Sequence, residues 1–299
     1  MPLASVFEEL PDSLDLEELD NGLDLQHTAS KATAILLASD WHVGERVDSP
    51  SVNYLNEYNP DIARKRARNF FSHARYLIEK ERSKTEIEHC VLWLGGDLIT
   101  GYIHEELEES NYLSPIEESL LIQELVSEGI AFLLTCVKDV TVVCNYGNHG
   151  RTGKKKRIST GAKNSYEWLV YQHLSKQLPE ARWLIASGYF NYLKLYNFNL
   201  RFHHGDGISY MGGVGGVTIP LIKFVNRANS QTRADLDFVG HFHQLTFHNQ
   251  FVVNGSLIGV TPYSVGCGFS YERPQQGFIL VHEKHGVISQ APILVAVDS

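Results

Sequence analysis

Five short clusters in the 299-residue sequence carry side chains that could do chemistry together. Asp40 and His42 stand in "SDWH", Asp97 in "LGGD", Asn148 and His149 in "YGNHG", His204 in "FHHGD", and His241 with His243 in "GHFH". They offer carboxylates, imidazoles and one amide, and no thiolate. Such mixed oxygen and nitrogen donors suit Mn²⁺, Fe or Zn²⁺ and disfavour a soft-metal site. A structural zinc site would use closely paired cysteines, and Cys90, Cys136, Cys144 and Cys267 have no such spacing. In "GHFH" the strand period of two is expected to put both histidines on one side.

Each cluster ends an apolar run. "ATAILLASD", "HCVLWLGGD" and "DVTVVCNYGNHG" read as buried strands followed by loops. "NYLKLYNF", "LRFHHGDG", "DLDFVGHFH", "LTFHNQFVVNGS" and "GFILVHEKHGV" extend the strand set, with a turn at Asn197. Asn59-Pro60 reads as an N-cap and N1 pair opening the long helix "DIARKRARNFFSHARYLIEKERSK". Further helices are expected around 116–138, in "NSYEWLVYQHLSKQL", and in "GGVTIPLIKFVNRANS", where Pro220 is either early or a kink. Residues 100–115 read as an acidic loop or lid. Strands alternating with helices early, and strands dominating late, predict an α/β chain of two packed sheets flanked by helices. The clusters then occupy loops at the C-terminal ends of strands, where α/β sheets bind ligands. With no internal repeat or linker, residues 31–299 read as one domain behind an arm of residues 1–30.

The ordered set DxH, GD, GNH, HG and GHxH resembles the calcineurin-like metallophosphoesterase superfamily. That resemblance spans residues 40–243 and implies a β-sandwich flanked by helices, a hydrolase activity, and two divalent metal ions. Mn²⁺ is the first expectation, with Fe, Zn²⁺ or Mg²⁺ as alternatives. The resemblance assigns Asp40, His42 and His243 to one ion, Asn148, His204 and His241 to the other, and Asp97 to both. It keeps His149 off the metals, to stabilise the phosphoryl transition state or protonate the leaving oxygen. It also puts the ligand directly before Gly205, hence His204 and not His203, which points the other way on an alternating strand. Two ions roughly 3.5–4 Å apart can activate a water and clamp the phosphoryl oxygens during in-line displacement. An anionic bridge suits Asp97, and a neutral Asn148 limits the negative charge facing phosphate.

Departures from the family narrow the substrate. "GGDLITGY" lacks the arginines found around this motif in protein Ser/Thr phosphatases, and Gly150-Arg151 follows His149 where those enzymes place an acid. No tyrosine adjoins Asp97 as in purple acid phosphatases, since Tyr102 is five residues on. All seven ligand positions are kept, which argues against a purely structural role. The phosphodiesterase and nuclease side remains, with nucleic-acid phosphodiester bonds as substrate.

Basic residues support that choice. "RTGKKKR" sets Arg151, Lys154, Lys155, Lys156 and Arg157 directly after His149, in a chain of net charge −9. Beside a metal centre they would neutralise the flanking phosphates of a strand. Arg64, Arg68, Arg75 and Arg82 recur along one stripe of the first helix, and the start of that stripe is expected to approach the same cleft. Tyr146 and Trp41 are candidates to stack on a base, with core packing as the alternative. Two further readings stay open: a phosphatase or pyrophosphatase for a small nucleotide, and a nucleic-acid-binding subunit of a larger complex.

Most of the negative charge belongs to the arm, which holds Glu8, Glu9, Asp12, Asp15, Glu17, Glu18, Asp20 and Asp24 and no Lys or Arg. It reads as a solvated extension, or as a docking segment for a protein partner or for this chain's own basic loop. No run approaches the roughly 18 apolar residues of a membrane span, and no signal peptide is expected. Cysteines without a pairing pattern fit a reducing compartment, so a cytoplasmic protein without a membrane partner is expected.

Overall fold

Strand β1 (Lys31–Ala38) shows how the layers arise. Ala34, Leu36 and Ala38 enter one apolar cluster, while Ile35 and Leu37 enter another. Successive side chains alternate across a strand, so β1 is covered on both faces. That is why its sequence is a continuous apolar run and not an alternating one. The computed structural model describes residues 30–210 and 215–296. Residues 1–29 of the acidic arm, and the docking role read for it, lie outside them.

The first sheet has the order β11-β10-β1-β2-β3-β4. Its strands are β1, β2 (Glu86–Leu94), β3 (Asp139–Cys144), β4 (Arg182–Ile185), β10 (Gln275–His282) and β11 (Gly286–Leu294). The four strands β1 to β4 are mutually parallel. The second sheet has the order β5-β6-β7-β9-β8. It comprises β5 (Asn191–Leu195), β6 (Phe198–His203), β7 (Leu236–Val239), β8 (Thr246–Phe247) and β9 (Phe251–Val253), with β6, β7 and β9 parallel. Ile35, Val91, Trp93, Phe202, Phe238 and Ile279 fill the space between the sheets.

Helices α1 (Pro60–Glu81), α3 (Pro115–Leu134) and α4 (Tyr166–Gln177) cover the outer face of the first sheet, contributing Phe70, Leu125 and Leu174 to that core. Helix α5 (Thr218–Asn229) covers the second sheet with Leu221 and Val225. This is the expected two-sheet sandwich flanked by helices. Among the described residues, no helix is long and apolar enough to cross a membrane. All four cysteines are free, with Cys267 exposed and the other three buried.

Helix starts follow their local chemistry. The Asn59 side chain accepts from the Ile62 amide at 2.9 Å, with Pro60 at the first turn of α1. Ser114 and Glu117 form a reciprocal capping box at the start of α3. Pro220 falls in the first turn of α5, where a missing amide costs nothing. The acidic stretch 100–115 is not a plain loop. It contains the short helix α2 (Glu105–Ser110) and is tied down by Asn111 to the Gly101 carbonyl and by the Tyr112 amide to that of Gly44.

The arginine stripe of α1 lies along α3 and not toward the cleft. Arg64 pairs with Glu124, Arg68 with Glu128 at 3.8 Å, and Arg75 lies over the Phe132 ring at 5.7 Å. Arg82 caps the carbonyls of Ile87 and Cys136. A periodic charge stripe has two possible partners, solvent polyanion or neighbouring helix, and here acids on α3 supply the second. Exposed pairs of this kind contribute about 0–1 kcal/mol each. Arg68→Ala should therefore shift the thermal midpoint in a calorimetric scan only a little.

Candidate dinuclear metal centre

Five loops converge where the parallel strands of both sheets end. Asp40 and His42 follow β1, Asp97 follows β2, Asn148 and His149 follow β3, His204 follows β6, and His241 with His243 follow β7. Main-chain bonds knit the loops edge to edge: Asp40 donates to Gly96, His42 to Asp97, Val43 to Leu98, and Gly240 to His204, at 2.8–3.1 Å. Gly96 shows how tight this is. Its φ is +87°, and a Cβ there would stand 2.3 Å from the Gly147 nitrogen.

Five of these functional residues have left-handed backbones: Asp40 (φ 57°), His42 (48°), Asp97 (52°), His241 (70°) and His243 (54°). Non-glycine residues rarely adopt this conformation, and such strain gathers at functional sites. It also corrects the strand-period argument for the two histidines. β7 ends at Val239, so His241 and His243 belong to a loop whose two positive φ values aim them.

Two triads result, Asp40 with His42 and His243, and Asp97 with His204 and His241; in each, one donor atom per residue lies within 4.8 Å of the others. Each draws donors from both sheets. His243 Nε2 is 3.3 Å from Asp40 Oδ1, and His204 Nε2 is 2.8 Å from Asp97 Oδ2. Asn148 Oδ1 lies 3.2 Å from His204 Nε2, which puts the amide beside the second triad. His42 is the most telling of these donors for a metal ion. Both its ring nitrogens are buried without a hydrogen-bond partner, an arrangement that costs free energy unless something else takes the lone pair. Burial holds its pKa well below the ordinary imidazole range, and burial with the neighbouring His204 lowers His241 to about 4. Both imidazoles are thus neutral, as ligands must be. His204 behaves differently: against burial, the Asp97 carboxylate raises it to about 10, and Asp40 raises His243 in the same way. Each Asp–His pair offers a carboxylate oxygen and an imidazole nitrogen between which a cation could take the place of a proton.

Outer contacts fix these donors. His204 Nδ1 bonds the Gly95 carbonyl at 2.9 Å, leaving Nε2 for the site. Ser39 donates to Asp40 at 2.5 Å. His149 stands slightly apart from both triads. Its amide donates to Asp97 Oδ1 at 2.7 Å, its Nδ1 bonds the Thr100 carbonyl at 2.7 Å, and its ring meets His42 edge-on at 4.7 Å. The bond to Thr100 leaves the other ring nitrogen, Nε2, outside it. His203 lies on the far side of β6, stacked with Tyr189 and 3.5 Å from Asp237.

The basic residues divide. Arg151, Lys155, Lys156 and Arg157 line a pocket that also includes Asn148 and Tyr146. Lys154 turns away to pair with Glu105 of α2. Trp41 is buried on Phe70 and Phe71 and donates to Gln276, so it cannot stack on a base.

Two buried acids escaped the sequence reading. Glu167 accepts from the amides of Leu98 at 2.6 Å and Gly147 at 2.8 Å, clamping the Asp97 loop to the Asn148 loop. Glu118 accepts from Thr100 and Gly101. Burial lifts the first to about 7 and the second to about 8. Glu118 is one of four acids between residues 116 and 138, and Glu167 stands at a helix start, so neither position carried a signal in the sequence. Glu167→Ala would leave two buried amides unpaired, at about 1–3 kcal/mol each. It should lower the thermal midpoint and weaken metal binding by roughly 10–100-fold. Glu167→Gln, which keeps one acceptor oxygen, should fall between it and wild type in both measurements.

The resemblance to calcineurin-like metallophosphoesterases thus extends from motif order to fold.

No family model and no curated protein matches the sequence. Solved structures do. A hypothetical protein from Pyrococcus horikoshii OT3 is 13% identical over 88% of each chain, with a TM-score of 0.41. Vps29 from Entamoeba histolytica, complexed with Zn²⁺, is 13% identical over 87% of this chain and 99% of its own, at 0.35. A predicted phosphoesterase from Streptococcus pneumoniae TIGR4 is 12% identical over 88% and 99%, at 0.33. At these identities and scores the similarity says nothing of chemistry, which the chain's own residues must supply.

Proposed function

We propose that the protein is a dinuclear metal-dependent phosphodiesterase that hydrolyses nucleic-acid phosphodiester bonds. The observation that carries this reading is the pair of Asp/His triads, each assembled from both sheets around a buried carboxylate. Asp40, His42 and His243 would hold one ion, Asn148, His204 and His241 the other, and Asp97 would serve both. When bound, such ions neutralise charge on the phosphoryl oxygens and activate water. The mixed carboxylate, amide and imidazole donors suit Mn²⁺, Fe or Zn²⁺, and Mn²⁺ is the ion proposed first.

His149 performs the proton and charge work that belongs to the chain itself. Its Nδ1–H is spent on Thr100, so Nε2 is the nitrogen left for the reaction; in the imidazolium form it donates to a phosphoryl oxygen or protonates the leaving oxygen. The cationic pocket beside Asn148 favours a substrate with more than one phosphate. A small-nucleotide phosphatase is the second reading, favoured by the engagement of Lys154 and Lys156 with Glu105 and Asp206. Mono- and bis-p-nitrophenyl phosphate, compared with a labelled oligonucleotide in Mn²⁺, decide between them. The proposal expects the diester and the oligonucleotide to be cleaved in preference to the monoester. Preference for the monoester, with the oligonucleotide intact, would hand the lead to the second reading.

A further inference from the structure

The loop after His149 folds back into a walled pocket and does not form an open groove. The enclosed space is small, about 40 Å³. Tyr146 forms one wall, half-buried beneath residues 157–161. Arg151 is anchored by a backbone bridge to Ser165, and its Nε is buried without a partner. Lys155 and Arg157 also face the pocket and have no acidic partner among the described residues. Lys156 is held at 2.6 Å by Asp206, two residues beyond His204. Four cations and one acid leave a strongly positive pocket whose lining includes Asn148, the amide beside the second triad.

We propose that this pocket seats a single second phosphate, the one next along the strand from the phosphoryl group at the metal centre. Three features point there together. The lining is cationic with an unpaired guanidinium nitrogen, which suits a dianionic or monoanionic oxygen cluster better than a neutral base. The enclosed space, about 40 Å³, takes one small group and not a run of nucleotides. Asn148 lines the pocket and contacts His204 of the second triad, so a ligand in the pocket lies directly beside the centre. The substrate class is a phosphodiester bearing another phosphate one nucleoside away, and Lys154 takes no part. This inference rests on the phosphodiesterase reading for its substrate but not for its test.

The test is binding followed by turnover. Thymidine 3′,5′-bisphosphate is titrated calorimetrically into chelator-treated protein, with thymidine as control, for wild type and the Lys155→Ala/Arg157→Ala double variant. The expected result is binding of the bisphosphate but not of thymidine, weakened tenfold or more in the variant. In Mn²⁺, TpT is then compared with pTpT and TpTp. One phosphorylated dinucleotide should exceed TpT in kcat/KM by tenfold or more, and the ratio should approach one in the double variant. Equal bisphosphate affinity in wild type and variant would overturn the inference, as would equal rates for the three dinucleotides. Retained, variant-sensitive binding with no hydrolysis of any diester would sustain the pocket and sink the phosphodiesterase reading, so the two failures are distinguishable.

Discussion

Alanine at His149 should lower diester turnover by about 10²–10⁴-fold while the protein still binds divalent metal normally. The geometry sets both halves of this expectation. His149 contacts the centre through its backbone amide on Asp97 and its ring edge on His42, and its side chain belongs to neither triad. Removing the imidazole therefore leaves the donors in place, and the amide bond to Asp97 survives because it is main chain. What disappears is the Nε2 proposed above to act on the phosphoryl group. At about 1.4 kcal/mol per factor of ten, the loss corresponds to roughly 3–5.5 kcal/mol of transition-state stabilisation. Most of it should appear in kcat and little in KM, since the interaction belongs to the transition state. Loss of a bound ion in His149→Ala would show that the residue is a ligand and that its assigned role is wrong.

Asp97→Asn should be the more damaging change, because this carboxylate does three things at once. It accepts from the His149 amide, it faces His204 at 2.8 Å, and it stands in the triad with His241. The amide is nearly isosteric and keeps one oxygen for His149, so the loop should fold and circular dichroism should be unchanged. The negative charge that would offset two cations is lost. Metal affinity should fall by more than the roughly 10–100-fold that loss of an outer partner costs, and activity should fall with it. Normal stoichiometry in Asp97→Asn would exclude a shared ligand at this position.

The layers and the loop positions were legible because they follow from local chemistry. β1 to β3 read as buried strands since both faces are covered, and the start of α1 read correctly because Asn59 and Pro60 do what their backbones allow. β4 was missed: "RWLI" is four residues long and its register comes from pairing with β3. The donors could be named from motif order, yet their aim could not, because it depends on left-handed backbones that five non-glycine residues adopt only when neighbouring loops hold them. Glu167 was invisible for a related reason. Its partners, the amides of Leu98 and Gly147, lie 69 and 20 residues away in sequence. The arginine stripe misled because sequence gives a helix face but not what packs on it; Glu124 and Glu128 decided that.

The most direct test of the two-ion account is metal titration of chelator-treated protein, with bound metal and bis-p-nitrophenyl phosphate hydrolysis measured on the same samples. Activity should be absent in the stripped protein, return with Mn²⁺, and reach its plateau at two ions per chain. Ca²⁺ should restore much less, because donors rich in imidazole disfavour it. Undiminished hydrolysis after verified metal removal would contradict the account.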